Sequence, residues 1–132
     1  MILVVDVGNS RIKAAVFEEN KILEIFIFTK IELEKKIENI LKKFQKVSDL
    51  VISSVGDVDK QAILAFASVV NVNFISNTNA FPFENKYSTP KTLGIDRMVL
   101  AAGAVLTFPN QNRLVIDAGT CVTYDFIDKE NN

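Results

Sequence analysis

The sequence predicts an α/β fold built on a mixed five-stranded sheet, followed by the first hairpin of a second, duplicated domain. Three observations predict it. Residues 2–28 alternate apolar runs with short polar turns, as a meander of antiparallel strands does. The chain then changes to a helical period and alternates helices with short strands. Near its end, Arg113-Leu-Val-Ile-Asp117-Ala-Gly119-Thr120 repeats the form of Ile2-Leu-Val-Val-Asp6-Val-Gly8-Asn9.

Taken in order, Ile2 to Val5 is a continuous apolar run, expected as a central strand buried on both faces. Gly8-Asn9 turns the chain, Arg11 to Phe17 reads as a second strand, and Lys21 to Phe28 as a third after the turn Glu18-Glu19-Asn20. Leu33, Ile37, Ile40, Leu41 and Phe44 then fall on one helical face, with Lys35, Lys36, Glu38, Lys42 and Lys43 mostly opposite. The pairs Glu32–Lys36 and Glu38–Lys42 have the favourable i,i+4 order. A strand is expected over Asp49–Ser54, a helix from Asp59 to about Val69, and a strand over Val72–Ser76. The polar stretch Asn77–Lys91 reads as a long functional loop. Gly94–Thr107 is a third helix, with Ile95, Met98, Val99, Ala102, Val105 and Leu106 as its expected buried stripe. This order, three antiparallel strands and then parallel additions by helical crossovers, matches the ribonuclease-H-like sheet. Residues 1–110 form that domain. Residues 111–132, with a second strand arm over Val122–Ile127 and a turn over 128–132, begin another copy.

Composition narrows the chemistry. Hydrophobic residues make up 48% of 132, which places the chain among globular domains with a real core. A formal charge of −1 without a Lys/Arg run argues against nucleic-acid and membrane-surface partners. The apolar start meets Asp6 too soon for a signal sequence or a membrane span, so a cytoplasmic protein is expected. Cys121 is the single cysteine and permits no internal disulfide. With no histidine, Ser-His-Asp triads, Cys-His pairs and histidine-bearing zinc sites are excluded, and acid–base work falls to carboxylates, lysines or tyrosines.

An Asp-x-Gly-(Asn/Thr) turn between two strands is an ordinary hairpin signal. It is also a phosphate site, because glycine admits close approach and turn amides can donate to phosphate oxygens. Asn9, Ser10 and Thr120 add side-chain donors, Lys13 adds a point charge, and the strand-end carboxylates Asp6 and Asp117 can hold a metal ion or its water. Two such turns lie a domain length apart. A third signal is Gly94-Ile95-Asp96-Arg97 at the start of the third helix. Asp96 there suits the helix macrodipole, and Thr92 can cap. The pair equally suits proton acceptance from a substrate hydroxyl beside an anion-binding guanidinium. A carboxylate is a weak base, which phosphoryl transfer tolerates because positioning and charge neutralisation dominate.

Asp6-Val-Gly-Asn-Ser, Gly94-Ile-Asp-Arg97 and Asp117-Ala-Gly-Thr120 occur in the order and approximate spacing of the three motifs of type III pantothenate kinases. The chain resembles that family over its whole length, within the actin-like ATPase and sugar-kinase superfamily, whose members clamp phosphates between two such turns. The resemblance implies ATP-dependent phosphorylation of pantothenate to 4′-phosphopantothenate, the first step of coenzyme A synthesis. It implies that Asp6, Val7, Gly8, Asn9, Ser10, Arg11, Ile12 and Lys13 form the ATP phosphate loop, with Thr120 also touching ATP. It further implies that Asp96 accepts the proton, that Tyr87, Gly94, Ile95, Asp96 and Arg97 contact pantothenate, and that Asp117 holds a monovalent cation, potassium or ammonium. Magnesium-bound nucleotide and a homodimer come with the likeness. Ser10 stands where threonine is common, and Cys121 where alanine is common.

Another kinase of the superfamily would share the phosphate turns but lack Gly94-Ile-Asp-Arg97. A filament-forming or non-catalytic nucleotide-binding relative would show no product from pantothenate. The hairpin of residues 111–132 is too apolar to stand alone in water. The reading frame is therefore expected to continue past Asn132, and the 132-residue piece alone to be inactive.

Overall fold

The computed structural model describes residues 1–132, which divide into two compact units, Met1–Ile75 and Ser76–Asn132. In the first unit, β1 (Ile2–Val7), β2 (Ile12–Glu18), β3 (Lys21–Phe28), β4 (Asp49–Ser54) and β5 (Asn71–Phe74) form one sheet in the order β3-β2-β1-β4-β5. β1/β2 and β2/β3 are antiparallel, whereas β1/β4 and β4/β5 are parallel. The parallel neighbours follow helical crossovers through α1 (Leu33–Lys43) and α2 (Lys60–Leu64). This is the mixed five-stranded ribonuclease-H-like sheet expected from the sequence.

The side-chain alternation of the strands decides what lies inside. Leu3, Val5 and Val7 of β1, Ile12, Ala14 and Val16 of β2, and Leu50 and Ile52 of β4 point to one face. There they meet Leu33, Ile37 and Ile40 of α1 and Ile63 of α2. Truncating a residue such as Ile37 or Leu50, each 0% exposed, to alanine would cost about 2–5 kcal/mol. The other face is more open: Ile2 is exposed, and Val4 and Asp6 are half-buried. β1 is therefore fully buried on one face only, not on both, because α1 and α2 pack into the same cluster. That asymmetry leaves Asp6 out of the core, in one cross-strand row with Lys13 and Ser53.

Boundaries moved where local geometry tightened. α2 begins after Asp59, whose carboxylate accepts from the Gln61 and Ala62 amides at 2.9 and 3.2 Å. It then narrows into a 3-10 turn over Ala65–Ser68, so the expected single helix is two shorter pieces. Both expected i,i+4 pairs form, Lys42–Glu38 at 2.5 Å and Lys36–Glu32 at 3.9 Å.

The second unit holds a long loop, α3 (Ile95–Thr107), and a hairpin of β6 (Arg113–Ala118) and β7 (Val122–Ile127). Asparagine side chains tie the loop down: Asn77 donates to the Lys91 carbonyl, Asn85 to the Pro90 carbonyl, and Asn85 accepts from the Tyr87 amide. Ala101 and Val105 of α3 pack on Ile127, with Val115 and Phe83 alongside. The buried stripe of α3 is Ile95, Met98, Ala101 and Val105. Val99 and Leu106, expected in it, are exposed, Leu106 to 74%. The stripe is narrower because the helix rests on a two-stranded surface. Arg113 is buried and locks this packing, donating from Nε to the Phe108 carbonyl at 2.6 Å and from Nη1 to the Asp128 carbonyl at 2.9 Å. Leu114, Ile116, Val122, Tyr124 and Phe126 share the hairpin's outer face, and all are exposed.

Candidate functional site

In the first unit the residues of the Asp6–Lys13 segment lie at the β1–β2 turn. Asp6 and Lys13 are cross-strand partners, so their side chains leave the sheet on the same side. The parallel register also places Ser53 beside Asp6, and the Ser53 hydroxyl donates to Asp6 Oδ1 at 3.1 Å. Gly8 closes the turn by donating its N–H to the Arg11 carbonyl at 3.2 Å, and a Cβ on Gly8 would meet that same oxygen at 3.0 Å. A side chain at Gly8 would therefore crowd the turn backbone. The Gly8 amide is engaged within the turn. Asn9, Ser10, Arg11 and Lys13 are exposed, whereas Val7 and Ile12 are core residues that hold the turn in place.

In the second unit, Gly94 is the N-cap of α3 with no side-chain cap bond, and Thr92 lies in the preceding 3-10 turn with its hydroxyl on the Thr89 carbonyl. Thr92 therefore does not cap the helix. Asp96 folds its carboxylate back, Oδ1 accepting from the Arg97 amide at 2.8 Å. A Cβ on Gly94 would overlap that carboxylate, so the glycine makes room for it. Ile95 is buried and anchors the helix start.

Arg97 points elsewhere. Its Nε donates to Asp125 Oδ2 at 2.9 Å and its Nη2 to Asp125 Oδ1 at 2.5 Å, and the guanidinium lies 5.1 Å from the Tyr87 ring centroid. The Asp125 hydrogen bond, with Tyr87 acting the same way, pushes the Arg97 pKa above the usual guanidinium value. Tyr87 and Arg97 are thus brought together, and with Asp125, Lys86, Leu93 and Tyr124 they line a cleft of about 290 Å³. That is near the lower end of small-molecule sites, about 300–1,000 Å³. Asp96 is not part of its lining.

Asp117 sits at the end of β6, half-buried, opposite Thr123 of β7. The Thr123 hydroxyl is buried and has no hydrogen-bond partner, an unmet oxygen directly across from the carboxylate. Thr120 is exposed in the β6–β7 turn, where Gly119 donates to the Cys121 carbonyl at 3.1 Å. The two hairpins share antiparallel strands, an aspartate one residue before the first strand ends and a glycine N–H donating within the turn, though Gly8 reaches three residues on and Gly119 two. Ser53, Asp125 and Thr123 were not singled out from the sequence. Thr123 and Asp125 are polar residues on the side of β7 that also carries the buried Ile127, and Ser53 is a buried polar residue in the cross-strand row of Asp6.

A protein from Cytophaga hutchinsonii provisionally assigned as a sugar kinase aligns in structure with a TM-score of 0.57 and 15% identity, over 99% of this chain and 48% of that one. The fold is accordingly that of the actin-like ATPases and sugar kinases. A family model described as type III pantothenate kinase matches residues 2–132. The chain belongs to that family. The type III pantothenate kinase of Flavobacterium johnsoniae is 67% identical over 132 residues, covering 100% of this chain and 54% of the relative. That of Flavobacterium psychrophilum is 54% identical over 131 residues, covering 99% and 54%. The chain spans about half the length of the curated relatives it matches. No helix is long and apolar enough to cross a membrane.

Proposed function

We propose that the protein carrying this chain phosphorylates pantothenate with ATP, yielding 4′-phosphopantothenate and ADP. The observation that carries this reading is the family match over residues 2–132, which takes in all three motif segments. The geometry supports it. The exposed Asn9–Lys13 turn offers amide, hydroxyl and cationic donors for ATP phosphates. Magnesium takes one or two carboxylates plus phosphate oxygens and water, so Asp6, steadied by Ser53, suffices as its protein anchor. The cleft lined by Tyr87 and Arg97 is the proposed pantothenate site, with Gly94 and Ile95 setting the helix start beside it.

Asp96 lies outside that lining but next to Arg97, and it is the group proposed to take the proton of the substrate's primary hydroxyl as that oxygen bonds to the γ-phosphorus and the bond to ADP breaks. Thr120 adds an ATP contact. Asp117 and the unmet Thr123 hydroxyl are both oxygen donors, which suits a hard monovalent cation such as potassium. We also propose that residues 111–132 open the second copy of the strand–turn–strand unit, a reading supported by the matching hairpins. An ATP-consumption assay of the full-length protein with pantothenate, N-acetylglucosamine and acetate as acceptors tests the function. Turnover with pantothenate alone is expected, whereas turnover with a sugar or acetate and none with pantothenate would assign a different kinase.

A further inference from the structure

We infer that Asp125 is the positioning residue for Arg97, fixing the guanidinium in the orientation that meets substrate; this rests on the reading of the Tyr87–Arg97 cleft as the acceptor site. Asp125 grips two adjacent N–H groups of the guanidinium, which fixes the fork in its own plane. Tyr87, with its ring 5.1 Å away, limits movement out of that plane. Asp125 takes two of the five guanidinium donors, on the Nε edge, and that two-point grip sets the direction of the rest.

A merely structural staple is the weaker account. Arg113 already joins the end of α3 to the end of β7 through two carbonyls, and Ala101, Val105 and Ile127 pack between the same elements. The Arg97–Asp125 pair instead lines the cleft, each side chain about a fifth exposed, at 20% and 18%. Breaking one partner of pairs this deep costs stability, so it is their placement on the cleft that marks the role. Their value is geometric, and lysine in place of Arg97 could not reproduce the two-pronged contact.

The test compares the full-length protein with Asp125→Asn and Asp125→Ala, reading KM for pantothenate, KM for ATP, kcat and melting temperature. Positioning predicts a rise in pantothenate KM of about tenfold for Asp125→Asn and more for Asp125→Ala, with ATP KM close to that of the parent and, in the near-isosteric Asp125→Asn, only a small fall in melting temperature. Pantothenate KM within about twofold of the parent in Asp125→Ala would overturn the inference, as would parallel rises in both KM values with a lowered melting temperature. The Arg97 Nε–H resonance supplies a readout that needs no turnover. It should exchange slowly in the parent and rapidly in Asp125→Ala. If the parent does not phosphorylate pantothenate, the proposed function fails by itself, and rapid Arg97 Nε–H exchange in that parent would separately overturn the positioning role.

Discussion

The Ser53 hydroxyl donates to Asp6 Oδ1 at 3.1 Å across the parallel pair β1–β4. Ser53 is 9% exposed and lies outside the Asp6–Lys13 turn, yet it holds the turn's carboxylate. Ser53→Ala removes one hydrogen bond, worth about 0.5–1.5 kcal/mol. Titration of MgATP should therefore show affinity reduced by about threefold to tenfold, with pantothenate KM unchanged. Unchanged MgATP affinity would mean that Asp6 does not need this donor.

A second expectation concerns Asp96 and the glycine beside it. Asp96→Asn should lower kcat by about 10²–10⁴ while MgATP affinity stays near that of the parent. Gly94→Ala should act in the same direction but less, because its methyl displaces the Asp96 carboxylate without removing it. Steady-state kinetics with pantothenate distinguish the roles. Near-normal kcat in Asp96→Asn would leave Asp96 as a helix-start residue that accepts from the Arg97 amide.

The strands and helices were legible because their periods differ: the alternation of β2 and the apolar face of α1 each fit one element type only. The two Asp-x-Gly turns were legible because glycine and aspartate recur at the end of two apolar runs. What escaped depended on register. Asp125 lies far along the chain from Arg97, and their meeting requires knowing that Asp125 faces α3 from β7. Ser53 reaches Asp6 only through the parallel pairing of β4 with β1, which no local pattern encodes. The stripe of α3 was read too wide for a related reason, since periodicity marks apolar positions but not the width of the surface that receives them. Thr92 was read as a cap on residue type, whereas Pro90 begins a 3-10 turn that ends the segment before the helix starts.

A third expectation concerns the cation. If Asp117 and Thr123 bind one, full-length protein should be activated by potassium or ammonium over sodium, and Thr123→Val should raise the potassium concentration needed for half-maximal activity. The buried, unpartnered Thr123 hydroxyl motivates this variant, which keeps shape and removes the oxygen. Activity indifferent to the monovalent ion would remove Asp117 from the role.

The outer face of the hairpin yields a fourth. Leu114, Ile116, Val122, Tyr124 and Phe126 are each more than half exposed on it. Such a contiguous apolar strip promotes association. The purified segment Met1–Asn132 should self-associate in sedimentation experiments and show negligible phosphorylation of pantothenate. Replacing Leu114 and Phe126 with Thr should restore a monomer without restoring activity. A monomeric, fully active 1–132 segment would show that this face needs no cover and that one strand–turn–strand copy suffices.

Phosphoryl transfer to pantothenate leaves a product that can be identified outright. Full-length protein incubated with pantothenate, MgATP and potassium should convert pantothenate to a species one phosphoryl group heavier by mass spectrometry. A ³¹P–¹H correlation should place the phosphorus on the primary hydroxyl, and the Asp96→Asn variant should form this species far more slowly. ATP hydrolysis without phosphorylated pantothenate, or phosphate transfer to a different acceptor, would contradict the account.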